Sequence, residues 1–283
     1  MHSKEYFNRL LPRRAVKLFR TAALVTADLY HRLQRSTDEL TPPRALHSIG
    51  GGDFKEIGTE FFGYFRNLCK VKPAASILDI GCGTGRMAVP LLNYLDDNGA
   101  YTGFDISRKA IRWCNGRIAA KRSNFKFLWA DIYNREYHPK GQIAATEYRF
   151  PCPDETIDLV FAASVFTHML PDEVRHYLDE IHRVLKKDGC CLLTYYLLND
   201  DALALMENQR SRFNFHVPLP GCYSVDAKTP ERAVAFTEAA VRELHRQARL
   251  AIREPIYFGN WCGRSEFLSS QDIVIAGPSG GGD

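Results

Sequence analysis

Three short apolar runs, each closing on an aspartate, set the rhythm of the chain between residues 77 and 131. Ile77-Leu78-Asp79-Ile80, Tyr101-Thr102-Gly103-Phe104-Asp105 and Phe125-Lys126-Phe127-Leu128-Trp129-Ala130-Asp131 read as buried strands, with successive acids 26 residues apart. Between them, Met87/Leu91/Tyr94/Leu95 and Ile111/Cys114/Ile118 recur at the three- and four-residue spacing of a buried helix face. Ser107 is placed to cap the second helix, and Asn98-Gly99 to end the first. An even step of this length is one strand plus one crossover. The pattern therefore predicts a parallel α/β sheet with the three acids along one edge, and open α/β sheets bind ligands outside the carboxyl ends of their strands.

The first strand runs straight into Gly81-Cys82-Gly83-Thr84-Gly85-Arg86. Glycine lets a backbone turn sharply and lie against a ligand, and glycines at alternate positions differ from the G-x-G-x-x-G of dinucleotide-binding turns. With Phe104-Asp105-Ile106, Ala130-Asp131-Ile132, the strand Ile157-Asp158-Leu159-Val160-Phe161-Ala162 and the stretch Val184–Leu193, the chain resembles the class I S-adenosylmethionine-dependent methyltransferases over residues 53 to 277, and within them the bacterial type that acts on small molecules and glycans. The resemblance implies a Rossmann-like α/β fold: a seven-stranded, mostly parallel sheet with helices on both faces, in which Ala251–Tyr257 runs parallel and Gln271–Ala276 returns antiparallel. It also implies the cofactor, S-adenosylmethionine, with S-adenosylhomocysteine as product. Asp79 and the turn Gly81, Cys82, Gly83, Gly85 would hold its methionine part, Asp105 both ribose hydroxyls, and Ile106 the adenine face. Asp131 would accept from the adenine amine, with Ile132 and Ser164 in the same set. A carboxylate can accept two hydrogen bonds at once, which suits a vicinal diol. A nicotinamide oxidoreductase would use Asp105 in the same way; the third acid, Asp131, is what that alternative leaves unexplained.

Composition narrows the picture further. The 283 residues, 45% hydrophobic, suffice for one large core or one core with an extension. Eight cysteines include no C-x-x-C pair and no zinc-like His/Cys spacing, so reduced thiols in a cytoplasmic enzyme are expected and no metal site is read. Cys190 and Cys191, neighbours in a strand, should face opposite ways. No apolar run is long enough to span a membrane. Residues 1–50 carry nine Lys/Arg against four Asp/Glu, a net of +5 in a chain of net +4. Phe7, Leu11, Leu18, Ala22, Val25, Leu29 and Leu33 form a helical stripe there. This basic arm reads as a lid on the catalytic domain, as a peripheral membrane contact through residues 1–35, or as an oligomer contact. Thr41-Pro42-Pro43-Arg44 and Gly50-Gly51-Gly52 suggest a hinge, residues 51–277 the methyltransferase domain, and residues 278–283 a disordered tail.

Four segments should follow the carboxyl ends of strands: the stretch holding Tyr133, Tyr137, His138 and Tyr148; Ala163–Met169; Leu197–Ser224; and Phe258–Leu268. They are rich in aromatics and short of Lys, which suits a small-molecule acceptor such as a sugar or lipid-linked glycan and no nucleic acid, whose phosphates need a basic track. Methyl transfer to a neutral hydroxyl needs a base. His168 in Ser164-Val165-Phe166-Thr167-His168-Met169 is the first candidate, with local hydrogen bonding or a grip on the cofactor's amino-acid end as the plainer roles; His216 and His138 rank below it. The stretch after the fourth strand, Ala162-Ala163-Ser164-Val165, has neither the Asn-Pro-Pro-Tyr type of motif nor the Pro-Cys nucleophile of specialised nucleic-acid enzymes. O-methylation is the expected activity. The alternatives are N- or C-methylation of a metabolite, or a non-catalytic cofactor-binding module whose arm binds a partner.

Overall fold

The computed structural model describes residues 39–46 and 52–280. Most of the expected basic arm therefore lies outside the described residues; of the part that is described, Glu39 pairs with Lys121 at 2.8 Å.

Helix α1 (Phe54–Asn67) starts at Asp53, whose carboxylate accepts from the N–H groups of Lys55 and Glu56. Strands β1 (Ser76–Ile80), β2 (Ala100–Asp105), β3 (Phe125–Trp129), β4 (Ile157–Ala162) and β5 (Leu185–Tyr195) are parallel, and β10 (Leu250–Tyr257) and β11 (Asp272–Pro278) complete a sheet of order β10-β11-β5-β4-β1-β2-β3. Only β11 runs against its neighbours, so the expected seven-stranded sheet with a returning last strand is present.

The strands alternate between two cores, one on each face. Leu78, Ile80, Val160, Ala162, Cys191 and Leu193 join one; Ile77, Leu159, Phe161, Cys190 and Leu192 join the other. Cys190 and Cys191 face apart as the period of two requires.

Short helix α2 (Ala88–Leu91) is briefer than the Met87-to-Leu95 stripe suggests. The chain continues in turns, with the N–H groups of Tyr94 and Leu95 both on the Leu91 carbonyl, which still buries Leu91 and Leu95. Helix α3 (Arg108–Arg117) begins with Ser107 accepting from the Ala110 N–H, as expected. Helix α4 (Pro171–Val184) links β4 to β5, and the Glu173 carboxylate caps the Leu170 N–H at 2.7 Å.

Between β5 and β10 the chain builds more than a loop. Strand β6 (Leu197–Leu198), helix α5 (Asp200–Glu207), strands β7 (Val217–Leu219), β8 (Cys222–Ser224) and β9 (Val234–Thr237) precede helix α6 (Glu238–Gln247), and the four strands form a second sheet of order β6-β9-β8-β7. This cap has its own core of Tyr196, Leu198, Ala202, Phe215, Ala233, Ala235, Trp261 and Cys262. The last strand of the main sheet takes in Pro278, and Ser279 N–H still bonds the Arg249 carbonyl at 2.9 Å. Residues 278 and 279 of the expected disordered tail are thus ordered on the sheet, and residues 281–283 lie outside the described residues. Among the described residues no helix is long and apolar enough to cross a membrane.

Candidate functional site

The turn after β1 is cradle-shaped. Gly81, Gly83 and Gly85 all take positive φ. A Cβ on Gly81 would sit 2.5 Å from Val165 Cγ2, so the turn packs tightly on the segment after β4; a Cβ on Gly83, at φ +52°, would meet nothing within 4 Å. The backbone at Gly83 thus offers an open, side-chain-free surface at the carboxyl edge, as a cofactor lying against it requires. The N–H groups of Gly81 and Cys82 hang on the Phe104 carbonyl at 2.9 and 3.0 Å, which fixes the turn to β2.

Asp105 closes the cradle. Its Oδ2 accepts from the Gly83 N–H at 2.8 Å and its Oδ1 from the Ser107 N–H at 2.6 Å. Burial pushes its pKa up, and the Ser107 and Gly83 donors oppose that shift. Ile106 is half-buried against the core with its carbonyl on the Trp129 indole N–H, and Ile132 is buried beside it. Asp131 stands two residues beyond the end of β3 with a side chain 27% exposed, its Oδ1 2.8 Å from His138 Nε2.

Asp79 is not at the surface of the cradle. It lies within β1, 3% exposed, and accepts a hydrogen bond from the Tyr101 hydroxyl of β2. Burial raises its pKa to about 8; the Tyr101 donor pulls it down and the Asp105 charge pushes it up again.

On the far side of the switch point Ser164 takes φ +59°, a strained setting for a residue with a Cβ. A polar cluster holds it there: Ser164 N–H donates to Thr194 Oγ1 at 2.8 Å, and the Ser164 and Thr194 hydroxyls both donate to Gln271 Oε1, at 3.0 and 2.7 Å. Gln271 Nε2 in turn donates to the Tyr196 hydroxyl at 3.2 Å.

His168 ends a short turn, Phe166–His168, after β4. Its Nδ1 lies 2.9 Å from the Glu231 carbonyl, which can only accept, so the proton sits on Nδ1 and Nε2 keeps its lone pair. Burial lowers the pKa of the ring, which holds it neutral. The Tyr137 hydroxyl is 3.5 Å from the ring nitrogens. The other two histidines of the sequence reading are occupied elsewhere, His138 on Asp131 and His216 on the Asn214 carbonyl.

Residues 77–189 match the family model described as a methyltransferase domain. Those residues thus carry a methyltransferase domain. The chain shares 26% identity over 170 residues with tRNA N(3)-cytidine methyltransferase METTL2 of Gallus gallus, covering 59% of this chain and 43% of that protein. It shares 26% over 136 residues with protein-lysine N-methyltransferase EFM4 of Saccharomyces cerevisiae, covering 47% and 56%. The chain thus spans about half the length, or less, of the curated relatives it matches. The crystal structure of the PH0226 protein from Pyrococcus horikoshii OT3 has the same fold, with a TM-score of 0.54 at 16% identity over 81% of this chain and 92% of that one.

These relatives overturn one expectation. A small-molecule acceptor with no nucleic-acid partner does not stand beside relatives named for tRNA and for protein lysine. The structure shows why the sequence misled: Phe213, Phe215 and Trp261, counted as pocket aromatics, pack around Tyr196 in the core of the cap. The same segments, scored as short of Lys, carry Arg210 and Arg212 exposed on the surface. The structure thus places Asp105, Asp131, the glycine turn, Ser164 and His168 at or after the carboxyl ends of the strands, and gives partners to them in Thr194 and Gln271, which the sequence reading did not name, and in Tyr137 and His138, which it named only as a pocket aromatic and a weaker base candidate.

Proposed function

We propose that the chain transfers a methyl group from S-adenosylmethionine to an acceptor hydroxyl, with His168 as the base that takes the hydroxyl's proton. The cofactor supplies an electrophilic methyl on a sulfonium. The glycine turn would hold its methionine part, Asp105 the ribose and Asp131 the adenine amine. The observation that carries the reading is the locked ring of His168: its Nδ1–H is spent on the Glu231 carbonyl, its Nε2 keeps a lone pair with the Tyr137 hydroxyl 3.5 Å away, and burial favours the neutral form. The segment after β3 is bound to it, since Asn134 Nδ2 donates to the His168 carbonyl at 3.1 Å. The acceptor would be presented between that segment and the cap, and the similarity to tRNA and protein-lysine enzymes favours one carried on a macromolecule.

Calorimetric titration with S-adenosylmethionine, S-adenosylhomocysteine and NAD tests the cofactor: the adenosyl compounds should bind and the dinucleotide should not. Labelled methyl groups should then enter an RNA or protein fraction. His168→Ala should cut that uptake roughly 10²-fold while leaving cofactor affinity within about threefold. The acid limb of the unaltered protein's pH profile should lie below the ordinary histidine value, because burial lowers the His168 pKa. Loss of cofactor binding in His168→Ala would move the residue from base to cofactor grip.

A further inference from the structure

We propose that His138 is a positioning residue that aims the Asp131 carboxylate at the adenine amine, and so sets the selectivity of the site for an adenosyl over a deaminated cofactor. The inference rests on the methyltransferase reading above and deepens it.

Three observations converge. First, His138 Nε2 lies 2.8 Å from Asp131 Oδ1, with the two side chains 25% and 27% exposed. An ionised carboxylate only accepts, so the imidazole donates. No hydrogen bond from another described residue reaches Oδ2, which is left for a ligand donor. A carboxylate with one oxygen tied loses the rotation that would otherwise blur the direction of the other, which is the service a donor gives when it orients a binding group.

Second, the ring is delivered by a loop that has little freedom. Backbone hydrogen bonds run both ways between Asn134 and His138, at 3.2 and 2.8 Å, and the Asn134 side chain accepts from the N–H groups of Glu136 and Tyr137 at 3.1 and 3.0 Å. The loop returns at Gly141, whose N–H bonds the His138 carbonyl at 3.0 Å. A Cβ there would lie 2.4 Å from the Ile132 carbonyl carbon and the Tyr133 nitrogen, so only glycine allows this approach. The next two N–H groups, of Gln142 and Ile143, both close on the Asp131 carbonyl at 3.0 Å. Donor and acceptor therefore belong to one closed loop, with Asp131 where it closes and His138 within it.

Third, the edge of Trp129 borders the histidine with ring centroids 6.4 Å apart, and Ile132 is buried next to Asp131. The pair stands on apolar ground, where a misplaced carboxylate is costly and an aligned one selective.

The chemistry of selectivity is direct. An adenine amine can donate to Oδ2; in the deaminated, inosyl compound a carbonyl oxygen takes that place and faces the carboxylate with no proton between them. That discrimination holds only while Oδ2 is aimed.

The test uses the full chain and titrates S-adenosylhomocysteine and S-inosylhomocysteine against the unaltered protein, His138→Ala, His138→Gln and Asp131→Ala. The unaltered protein should prefer the adenosyl compound. His138→Ala should weaken adenosyl binding about tenfold, the effect of one charge-assisted hydrogen bond, and inosyl binding far less. Gln, which keeps a donor, should restore most of the loss, and His138→Ala should add little once Asp131 is Ala. Equal losses for both compounds, no rescue by Gln, or an undiminished effect in the Asp131→Ala background would overturn the proposal. If the unaltered protein binds neither compound, the methyltransferase reading falls and this one with it; if it binds both equally, only this one does.

Discussion

Asp79 shows how far one side chain can depart from its role in a motif. The strand around it is apolar, and the carboxyl turns into the sheet toward Tyr101 of β2 rather than out to the cradle. Because burial raises its pKa to about 8, well above the 3.8 of an ordinary aspartate, the folded protein holds the proton more tightly than the unfolded chain between those values. Its contribution to stability is therefore complete at acid pH and is lost as pH rises toward 8. Asp79→Asn, which keeps an acceptor for Tyr101, should raise the melting temperature by about 3 °C or more at pH 8 and hardly change it below the ordinary aspartate value of 3.8. Equal gains at both pH values, read by thermal melts, would show that the buried carboxyl is not the group that titrates. The motif made Asp79 conspicuous in the sequence; its partner was not, because Tyr101 lies on the neighbouring strand and the contact exists only in the sheet register that pairs Ile77 with Tyr101 and Asp79 with Gly103.

At the scale of elements, the start of β11 anchors the cap to the main sheet. Asp272 is fully buried and accepts from the Leu197 N–H and the Gly259 N–H, both at 2.6 Å, and from the Trp261 indole at 2.7 Å, with Arg264 3.7 Å away. Burial still pushes its pKa up to about 6 against those donors. Asp272→Ala would strand three buried donors, each costing on the order of 1–3 kcal/mol, so the expected loss is about 3 kcal/mol or more. Urea unfolding followed by Trp261 fluorescence should show it, with the indole emission shifting red as the cap loosens; an unchanged midpoint would mean that the cap's apolar core holds alone. The antiparallel strand itself, from residue 271 to 276, was expected from the family resemblance. Its anchoring role was not, since the three donors come from positions 197, 259 and 261 and no local spacing relates them.

For the whole molecule, the link that matters is between the cap and the segment after β3. Arg232 pairs with Asp226 inside the cap and reaches Glu136 of that segment at 3.6 Å, next to the Glu231 carbonyl that holds His168. The groups are only about two-thirds buried, so each pair should contribute no more than about 1 kcal/mol. Arg232→Ala should therefore leave global stability nearly unchanged while local opening grows. Amide exchange across residues 222–237 should speed up severalfold relative to the central strands; exchange at the unaltered rate would show that the strap carries no part of the closure.

The seven-strand order came with the family resemblance, while local pattern was enough to mark the first three parallel strands, the glycine turn and the three acids, because strand period, helix period and turn chemistry are properties of neighbours in sequence. The same holds for the alternate faces of Cys190 and Cys191. The cap was beyond that kind of reading: β7 and β8 are three residues each and β6 is two, and they are held by distant partners, Leu198 of β6 in a core with Trp261 and Cys262, and Leu219 and Cys222 of β7 and β8 against the core of the main sheet. The same is true of the pairs Asp79–Tyr101 and Ser164–Gln271 and of the lock of His168 on Glu231. Each joins residues 22 to 107 positions apart. A hydrogen bond depends on distance and angle in space, and only the packed sheet, with its cap closed over the carboxyl edge, brings those atoms within reach.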